Sequence, residues 1–312
     1  MNDSEWRPCS DNALSRGDPL AGTGSRGLHW LLVELSGPWG FSAFLDSPAT
    51  IDPEIGRALV RRAESAGMRI VGIRRPGRRQ AEPRWRWAIA DSRPGHESLY
   101  RGEVSDPTEL LDVPLDGSAG TLSHEPIVAV CAHGKHDRCC AVRGRSAAAD
   151  IARRYPELTW ECSHLGGDRF AATMILLPHG LYYGRVDAAD DPADLVHRYL
   201  RGSLDDRYLR GRSSLPEVVQ AAQHHARAVT GEDRIDALAP VSVTASDDEY
   251  VVVLRHGEGR VAVRLAETLS EPILSTCSAR VPGRVRQFRL VALAEDGTEG
   301  MGTGADGTGE NG

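Results

Sequence analysis

The sequence predicts an α/β protein made of two β-α-β-β-β-α units, which are followed by a small α+β region. From residue 28 to residue 200, apolar runs of strand length alternate with segments of helical spacing, in the same order twice. Both copies end in the pattern Leu-Tyr-x-Gly-x-Val, at residues 99–104 and 181–186, followed by Asp-Pro-x-(Glu/Asp)-Leu. We interpret the copies as related units. The shared letters are few, so chance similarity is the alternative interpretation.

The first unit is expected to begin with a strand and a helix in which apolar side chains keep helical spacing. Three further strands should follow, and the dipeptide at residues 106–107 is typical of a helix start, because proline fits the first helical position. The predicted strands are at residues 28–35, 68–74, 84–90 and 99–104, and the predicted helix is at residues 53–66.

The second unit repeats this order, and only this unit has cysteines and histidines at its loops. A second Asp-Pro dipeptide, at residues 191–192, is expected to begin its last helix. The predicted strands are at residues 127–131, 158–162, 171–177 and 181–186, and a helix is predicted at residues 146–155.

The remaining segments are simpler. A helix at residues 215–230 is expected to end at Gly231, and the turn at residues 257–259 suggests a hairpin between two of four C-terminal strands. The expected strands are at residues 241–245, 250–255, 260–265 and 285–293. The resulting organisation is a flexible lead (1–27), a first unit (28–120), a second unit (121–212), a small α+β region (213–294) and a disordered tail (295–312).

Composition excludes several classes of function. The net charge of −7 argues against a nucleic-acid-binding protein, which usually has a basic excess. No run reaches the about 18 apolar residues of a membrane helix, and the N-terminus lacks the basic start and apolar middle of a secretion signal. We therefore expect a cytoplasmic protein without membrane contact. Four of the six cysteines fall within 32 residues, and in a reducing compartment such clustering is typical of metal or redox sites.

The first block with chemical potential is residues 131–140, CAHGKHDRCC. It begins where a buried strand is predicted to end, and ligands in α/β sheets bind beyond the carboxyl ends of strands. Taken singly, His133, His136 and His224 are interpreted as surface or helix residues rather than ligands. Cys9 and Cys277, far from this block in the sequence, are interpreted as ordinary thiols.

The second block is residues 161–170, ECSHLGGDRF, which also begins at a predicted strand end. Its two glycines, Gly166 and Gly167, permit backbone conformations closed to other residues. His164 and Asp168 lie on either side of them. One loop therefore offers thiolates and the other an imidazole and a carboxylate, so that two neighbouring loops could hold one metal centre.

Together these motifs resemble the sucrase/ferredoxin-like family, whose members are thioredoxin-like ferredoxins. The resemblance rests on Cys131-x8-Cys140, on Ser163-His164-x-Gly-Gly-x-Arg-Phe-Ala-Ala and on Tyr183-Gly-Arg-Val186. The segments WLLVE at 30–34 and GPWG at 37–40 resemble the family as well. The resemblance implies that both units are thioredoxin-like, that the second carries a [2Fe–2S] cluster, and that the first has none.

The resemblance further implies cluster ligation by two cysteines and two histidines. Cys131 and Cys140 match the cysteine pair and His164 matches the first histidine, but Asp168 stands where the second histidine is expected. The fourth ligand is therefore open. Asp168 is the first choice, and the alternatives are Cys162, Cys139, and water or another group.

The ligand set determines the expected redox behaviour. Two ferric ions and two sulfides carry a net charge of +2, so four cysteinates give −2 and two cysteinates with two neutral histidines give 0. Two cysteinates, one histidine and one aspartate give −1. A less negative cluster accepts an electron more readily, as in Rieske centres, so we expect a potential above that of an all-cysteine ferredoxin and dependent on pH.

The leading functional hypothesis is an electron carrier that serves an unidentified redox partner protein. A zinc-binding structural or interaction protein is an alternative, because zinc accepts the same ligand types. A thiol-redox protein that uses Cys139 and Cys140, or Cys131, is a second alternative. Nothing in the sequence resembles a nicotinamide or flavin site. Nor does it show the facing carboxylate pair of a glycosidase, so we expect no sugar hydrolysis.

Overall fold

The computed structural model describes residues 7–77 and 85–295. Helices are interspersed among strands in the first two thirds of the described chain, and strands dominate the last third. The helices are α1 Cys9–Ser15, α2 Pro53–Ser65, α3 Arg145–Arg154, α4 Pro192–Leu200 and α5 Glu217–Thr230. The strands are β1 His29–Glu34, β2 Met68–Arg74, β3 Trp85–Asp91, β4 Ser98–Val104, β5 Thr121–Leu122, β6 Ile127–Cys131, β7 Thr159–Cys162, β8 Met174–Leu177, β9 Leu181–Tyr183, β10 Leu209–Arg212, β11 Pro240–Ser246, β12 Glu249–His256, β13 Gly259–Leu269 and β14 Arg286–Glu295.

Within the described residues, ten strands form one mixed sheet in the order β10-β9-β8-β6-β7-β2-β1-β3-β4-β5. The order of elements predicted to repeat produces the same local arrangement twice. In each half, two parallel strands (β1 with β2, β6 with β7) are extended by two antiparallel ones (β3 and β4, β8 and β9). The halves meet where β2 pairs antiparallel with β7. The chain is therefore an α/β protein with a large mixed sheet.

The sheet is covered on both faces, which explains the almost continuous apolar runs of its central strands. All five residues of β6 are buried. Alternate residues of the two halves form one shared apolar layer, which includes Trp30, Ile127 and Tyr182. On the opposite face each half has its own core, one beneath α2 and one beneath α3 and α4.

An aspartate followed by proline caps each of three segment starts, and two of these segments are α-helices. The side chains of Asp52 and Asp191 accept backbone N–H groups in the first turns of α2 and α4, with proline at the next position. Asp106 does the same, but it begins only a 3₁₀ turn, Pro107–Leu111. Pro114 follows shortly after, and the residue before a proline disfavours helical backbone.

The helix after β6 begins earlier than the sequence predicts. Instead of starting at Ser146, helical backbone begins at Arg138 and passes through a π-helical turn, Cys140–Gly144, into α3. The reason lies in Asp137, whose Oδ1 accepts the backbone N–H of Cys139 at 2.7 Å and so satisfies a free donor of the first turn. Cys139 and Cys140 are consequently held on helical backbone rather than on a loop.

The N-terminal segment, expected to be a loosely ordered lead, is packed onto the second unit from Arg7 onward. Helix α1 buries Cys9, Ser10 and Ala13. Farther along, the N–H groups of Thr23 and Gly24 donate to the carbonyl of Arg210. These long-range contacts hold the segment in one place on the second unit, which its polar composition does not predict.

The C-terminal region forms a second sheet within the described residues, in the order β11-β12-β13-β14. The predicted hairpin is confirmed, because His256 pairs with Gly259 across a turn in which Gly257 has φ 56°. Helix α5 packs against this sheet and ends at Gly231, which has φ 70°. Residues 296–312 of the predicted tail lie outside the described residues; the domain boundaries remain predictions.

Among the described residues, no helix combines the length and the apolar character that crossing a lipid bilayer requires.

Replacing Gly144 by alanine should destabilise the fold. A Cβ atom at Gly144 would lie 1.8 Å from the carbonyl oxygen of Cys131, so the helix would have to move away from β6. We expect the free energy of unfolding to fall by about 1–3 kcal/mol, although alanine is the better helix former. Chemical denaturation measures the change. Gly283→Ala is the matched control, because a Cβ there meets open space, and a similar loss in both variants would contradict the prediction.

Candidate metal centre

The two loops singled out in the sequence are neighbours because β6 and β7 are parallel and adjacent. Cys131 and Cys162, the last residues of these strands, pair directly in the register. The backbone N–H of Ala132 then donates to the carbonyl of Cys162 at 3.1 Å, which keeps the chains together beyond the strand ends. The segments that follow therefore leave the sheet at the same edge, as the sequence predicts.

Three of the four predicted site residues form one group. The sulfur atoms of Cys131 and Cys140 and a ring nitrogen of His164 lie within 4.8 Å of one another. Both cysteines are fully buried, and the His164 side chain is 28% exposed. The close approach of Gly144 to the Cys131 carbonyl places the turn with Cys140 directly over the end of β6.

Asp168, the fourth predicted residue, adjoins this group. Its Oδ1 lies 3.4 Å from the sulfur of Cys140, which donates to it, and 3.1 Å from Nδ1 of His164. The loop returns to the site because Gly166 and Gly167 both adopt left-handed backbone, with φ 90° and 83°. The guanidinium of Arg210, itself buried, donates to the carbonyl of Gly166 at 2.9 Å and holds the turn.

The sequence reasoning missed His136. Its ring stacks on that of His164 at a centroid distance of 3.8 Å, and ring nitrogens of the two histidines lie within 4.8 Å of a carboxylate oxygen of Asp168. The interpretation of His136 as a surface or helix residue rather than a ligand does not predict this contact with the site. Its position between the two cysteines of one loop was the available signal.

His133 orients the site without belonging to a donor group among the described residues. Its Nδ1 accepts the backbone N–H of His164 at 3.3 Å, so its Nε2 carries the proton and donates to the carbonyl of Gly40 at 2.8 Å. Burial lowers the pKa of His133, which favours this neutral form. Gly40 belongs to the first unit, and its loop therefore helps to position a residue of the second.

The two alternative cysteine ligands lie elsewhere. Cys162 is completely buried in the apolar layer, outside the donor groups found among the described residues, and burial raises the pKa of its thiol. Cys139 faces a different set of side chains, with Cys9 and Cys277. Adjacent positions on a helix point in different directions, which separates Cys139 from Cys140. Asp168 is thus the one of the three candidates that touches Cys140 and His164.

The electrostatics of the group favour a thiolate beside an imidazolium. The contact between the Cys131 and Cys140 side chains lowers the pKa of Cys131 well below its usual value and raises the pKa of Cys140. Burial disfavours a charged His164, but Asp168 and Cys131 outweigh it and raise the pKa of His164 to about 9.

The donor set suits a metal centre. Nδ1 of His164 is buried and lacks a well-aligned hydrogen bond, although Asp168 is close. Two sulfurs, an imidazole nitrogen and a carboxylate oxygen converge in a largely buried place, and such atoms bind iron or zinc. The residues present therefore fit a group that takes sulfur and nitrogen ligands.

The raised pKa of His164 should be visible in the metal-free protein. We expect its ring to titrate near pH 9, and the Asp168→Asn variant to bring that pKa down, because the carboxylate stabilises the charged imidazole. Ring resonances followed by NMR against pH measure both values. His133, whose pKa should stay below 6.5 in both proteins, is the internal control. An unchanged His164 pKa in the variant would contradict the geometry.

A comparison with known proteins identifies the family to which the chain belongs. The sequence profile of the sucrase/ferredoxin-like family matches residues 23–211, which include both halves of the large sheet and every residue of the predicted site. Neither the curated proteins nor the solved structures gave a significant match. The profile covers more than half of the sequence and confirms the resemblance drawn from the two loops, and the chain therefore belongs to the sucrase/ferredoxin-like family.

Proposed function

We propose that this protein is an electron carrier that binds a [2Fe–2S] cluster in the second of two thioredoxin-like units. Cys131, Cys140, His164 and Asp168 are the proposed ligands. The observation that carries the proposal is the convergence of two buried thiols, an imidazole nitrogen and a carboxylate at one strand-end edge. The strand order of each half, with a central parallel pair extended by two antiparallel strands, is compatible with thioredoxin-like units.

The surroundings of the site support reversible electron transfer. A [2Fe–2S] cluster supplies one-electron oxidation and reduction, and its potential depends on ligand charge, hydrogen bonds and exposure to water. Here Cys131 and Cys140 are shielded from water, and His164 is the more exposed donor. The chain's own contribution is to hold these side chains in place, which keeps structural change on reduction small.

The ring stack beside the site offers a place for a redox partner. Phe41, which is 63% exposed, packs on His136 at a centroid distance of 4.9 Å, and His136 stacks on His164. The exposed ring of Phe41 thus lies two ring contacts away from His164, the more exposed donor of the site. We propose that an unidentified redox protein in the cytoplasm approaches here.

The arrangement of the cysteines does not favour a thiol-redox protein that uses Cys139 and Cys140. Cys139 and Cys140 belong to different groups, so that their sulfurs are not presented as a reactive pair. A zinc ion at Cys131, Cys140 and His164 remains the second candidate, because the same donors bind zinc. Iron and sulfide analysis of anaerobically purified protein distinguishes the two, since zinc gives no visible absorption.

Removing single ligands should identify the set. We expect Cys140→Ser and His164→Ala to lose most of the bound iron and the red-brown colour, because each removes a donor. Cys162→Ala is the matched control and should keep its iron, since Cys162 lies outside the donor groups. Iron retained in Cys140→Ser, or lost in Cys162→Ala, would contradict the assignment.

The identity of the fourth cluster ligand is tested separately, because Asp168 and His136 both approach His164. We expect Asp168→Ala to lose iron and His136→Ala to retain it. Visible absorption and iron content measure the outcome. The reverse result would make His136 the fourth ligand.

The redox potential should depend on the charge at position 168. In Asp168→His a neutral ligand replaces an anionic one, so the cluster accepts an electron more readily and the potential should rise. The all-cysteine reference lies at about −400 mV and His-ligated Rieske centres at about −150 mV or higher. Redox titration at several pH values measures both proteins. A wild-type potential that is independent of pH and near the all-cysteine value would contradict histidine ligation.

A further inference from the structure

Three cysteines from distant parts of the chain meet beside the candidate metal centre. Cys9 lies on α1, Cys139 on the helix turn before α3, and Cys277 in the segment between β13 and β14. The distances between their sulfur atoms are 3.6 Å for Cys9 and Cys139, 3.1 Å for Cys139 and Cys277, and 3.5 Å for Cys277 and Cys9. We call these residues the three-cysteine cluster.

The backbone around the three-cysteine cluster is held by Asp137. Its Oδ1 accepts the N–H of Cys139 at 2.7 Å and its Oδ2 accepts the N–H of Cys277 at 2.8 Å, so one carboxylate fastens two of the three cysteines. A carboxylate oxygen of Asp137 lies within 4.8 Å of all three sulfurs. Each oxygen has a further lone pair available.

The N-terminal helix is fixed against the same place by a second set of bonds. Ser10 donates its hydroxyl to the sulfur of Cys139 at 3.3 Å and accepts from Nε of Arg143 at 3.0 Å. The guanidinium of Arg143 also pairs with Asp11 and Asp187. These contacts surround buried Cys9 and Cys139 with polar groups at fixed positions.

The arrangement of the sulfurs suits a thiolate-bound ion better than packed thiols. A thiol is a weak hydrogen-bond donor and a weak acceptor, so three thiols in mutual contact gain little. Around a tetrahedral zinc ion with Zn–S distances of about 2.3 Å, neighbouring sulfurs lie about 3.8 Å apart, which outward shifts below about 1 Å achieve. A disulfide would pair only two of the three and leave the third without a function.

We propose that Cys9, Cys139, Cys277 and Asp137 bind a structural zinc ion, separate from the candidate metal centre at Cys131, Cys140 and His164. Zinc accepts cysteine sulfur and carboxylate oxygen as ligands, and three sulfurs with one oxygen would close a tetrahedral site. The site connects the N-terminal helix, the helix that carries Cys140 and the C-terminal region. Because Cys139 and Cys140 are adjacent, the zinc ion would lie beside the turn that carries Cys140, and the contacts of Asp137 and Gly144 hold that turn independently of the metal.

Metal analysis of the full chain tests this proposal. We expect the wild-type protein to contain about one zinc ion per chain that Cys9→Ser and Cys277→Ser lose while keeping their iron. Loss of an outer-shell partner weakens metal binding by about 10–100-fold. Removing a ligand itself should weaken zinc binding by at least as much. Cobalt(II) added to zinc-free protein should give sulfur-to-metal absorption in the wild type and not in Cys277→Ser. Circular dichroism verifies that the variants fold.

Cys140→Ser is the reciprocal control, since it should lose iron and retain zinc. Its zinc content keeps this proposal separate from the proposed function, because the two sites then lose their metals independently. Zinc-free wild-type protein that fails to bind cobalt would overturn the inference. A Cys139–Cys277 disulfide found by mass spectrometry after alkylation would also overturn it. So would an undiminished zinc content in both Cys9→Ser and Cys277→Ser.

Discussion

The parallel pairing of β6 with β7 places Cys131 and Cys162 side by side, and the geometry of the site follows from this one contact. It brings together the ends of two loops that are about 30 residues apart in the sequence. The helix after Cys131 can then lie over the strand end only because Gly144 has no side chain to collide with the Cys131 carbonyl. Register and one glycine thus place Cys140 above Cys131.

The sequence predicts most of the large sheet because the information is local. Buried apolar runs mark β2 and β6, whose limits agree with the structure, apolar side chains at helical spacing mark α2, and an Asp-Pro dipeptide marks α4. The early helix start at Arg138 was missed although Asp137, an ordinary capping residue, precedes it. In a polar stretch ending in two cysteines there is no apolar periodicity to reveal a helix.

Other features depend on contacts that no local pattern contains. The convergence of Cys9, Cys139 and Cys277 joins residues up to 268 positions apart, so the sequence indicates no partner for Cys9 or Cys277. Likewise, the contact of His133 with Gly40 crosses from one half of the protein to the other. The first unit therefore has a part in forming the site, which its lack of clustered cysteines does not indicate.

The junction between the halves of the large sheet lies directly beside the site. Only two residue pairs of the described strands join β2 to β7, at Ile73 and Arg74. Ser163 reinforces them by exchanging two hydrogen bonds with Gly72, at 2.7 and 3.0 Å. Ser163 is next to His164 in the chain. The backbone at His164 is therefore anchored to the first half of the sheet through its neighbour, so the position of the more exposed donor depends on how the two halves are joined.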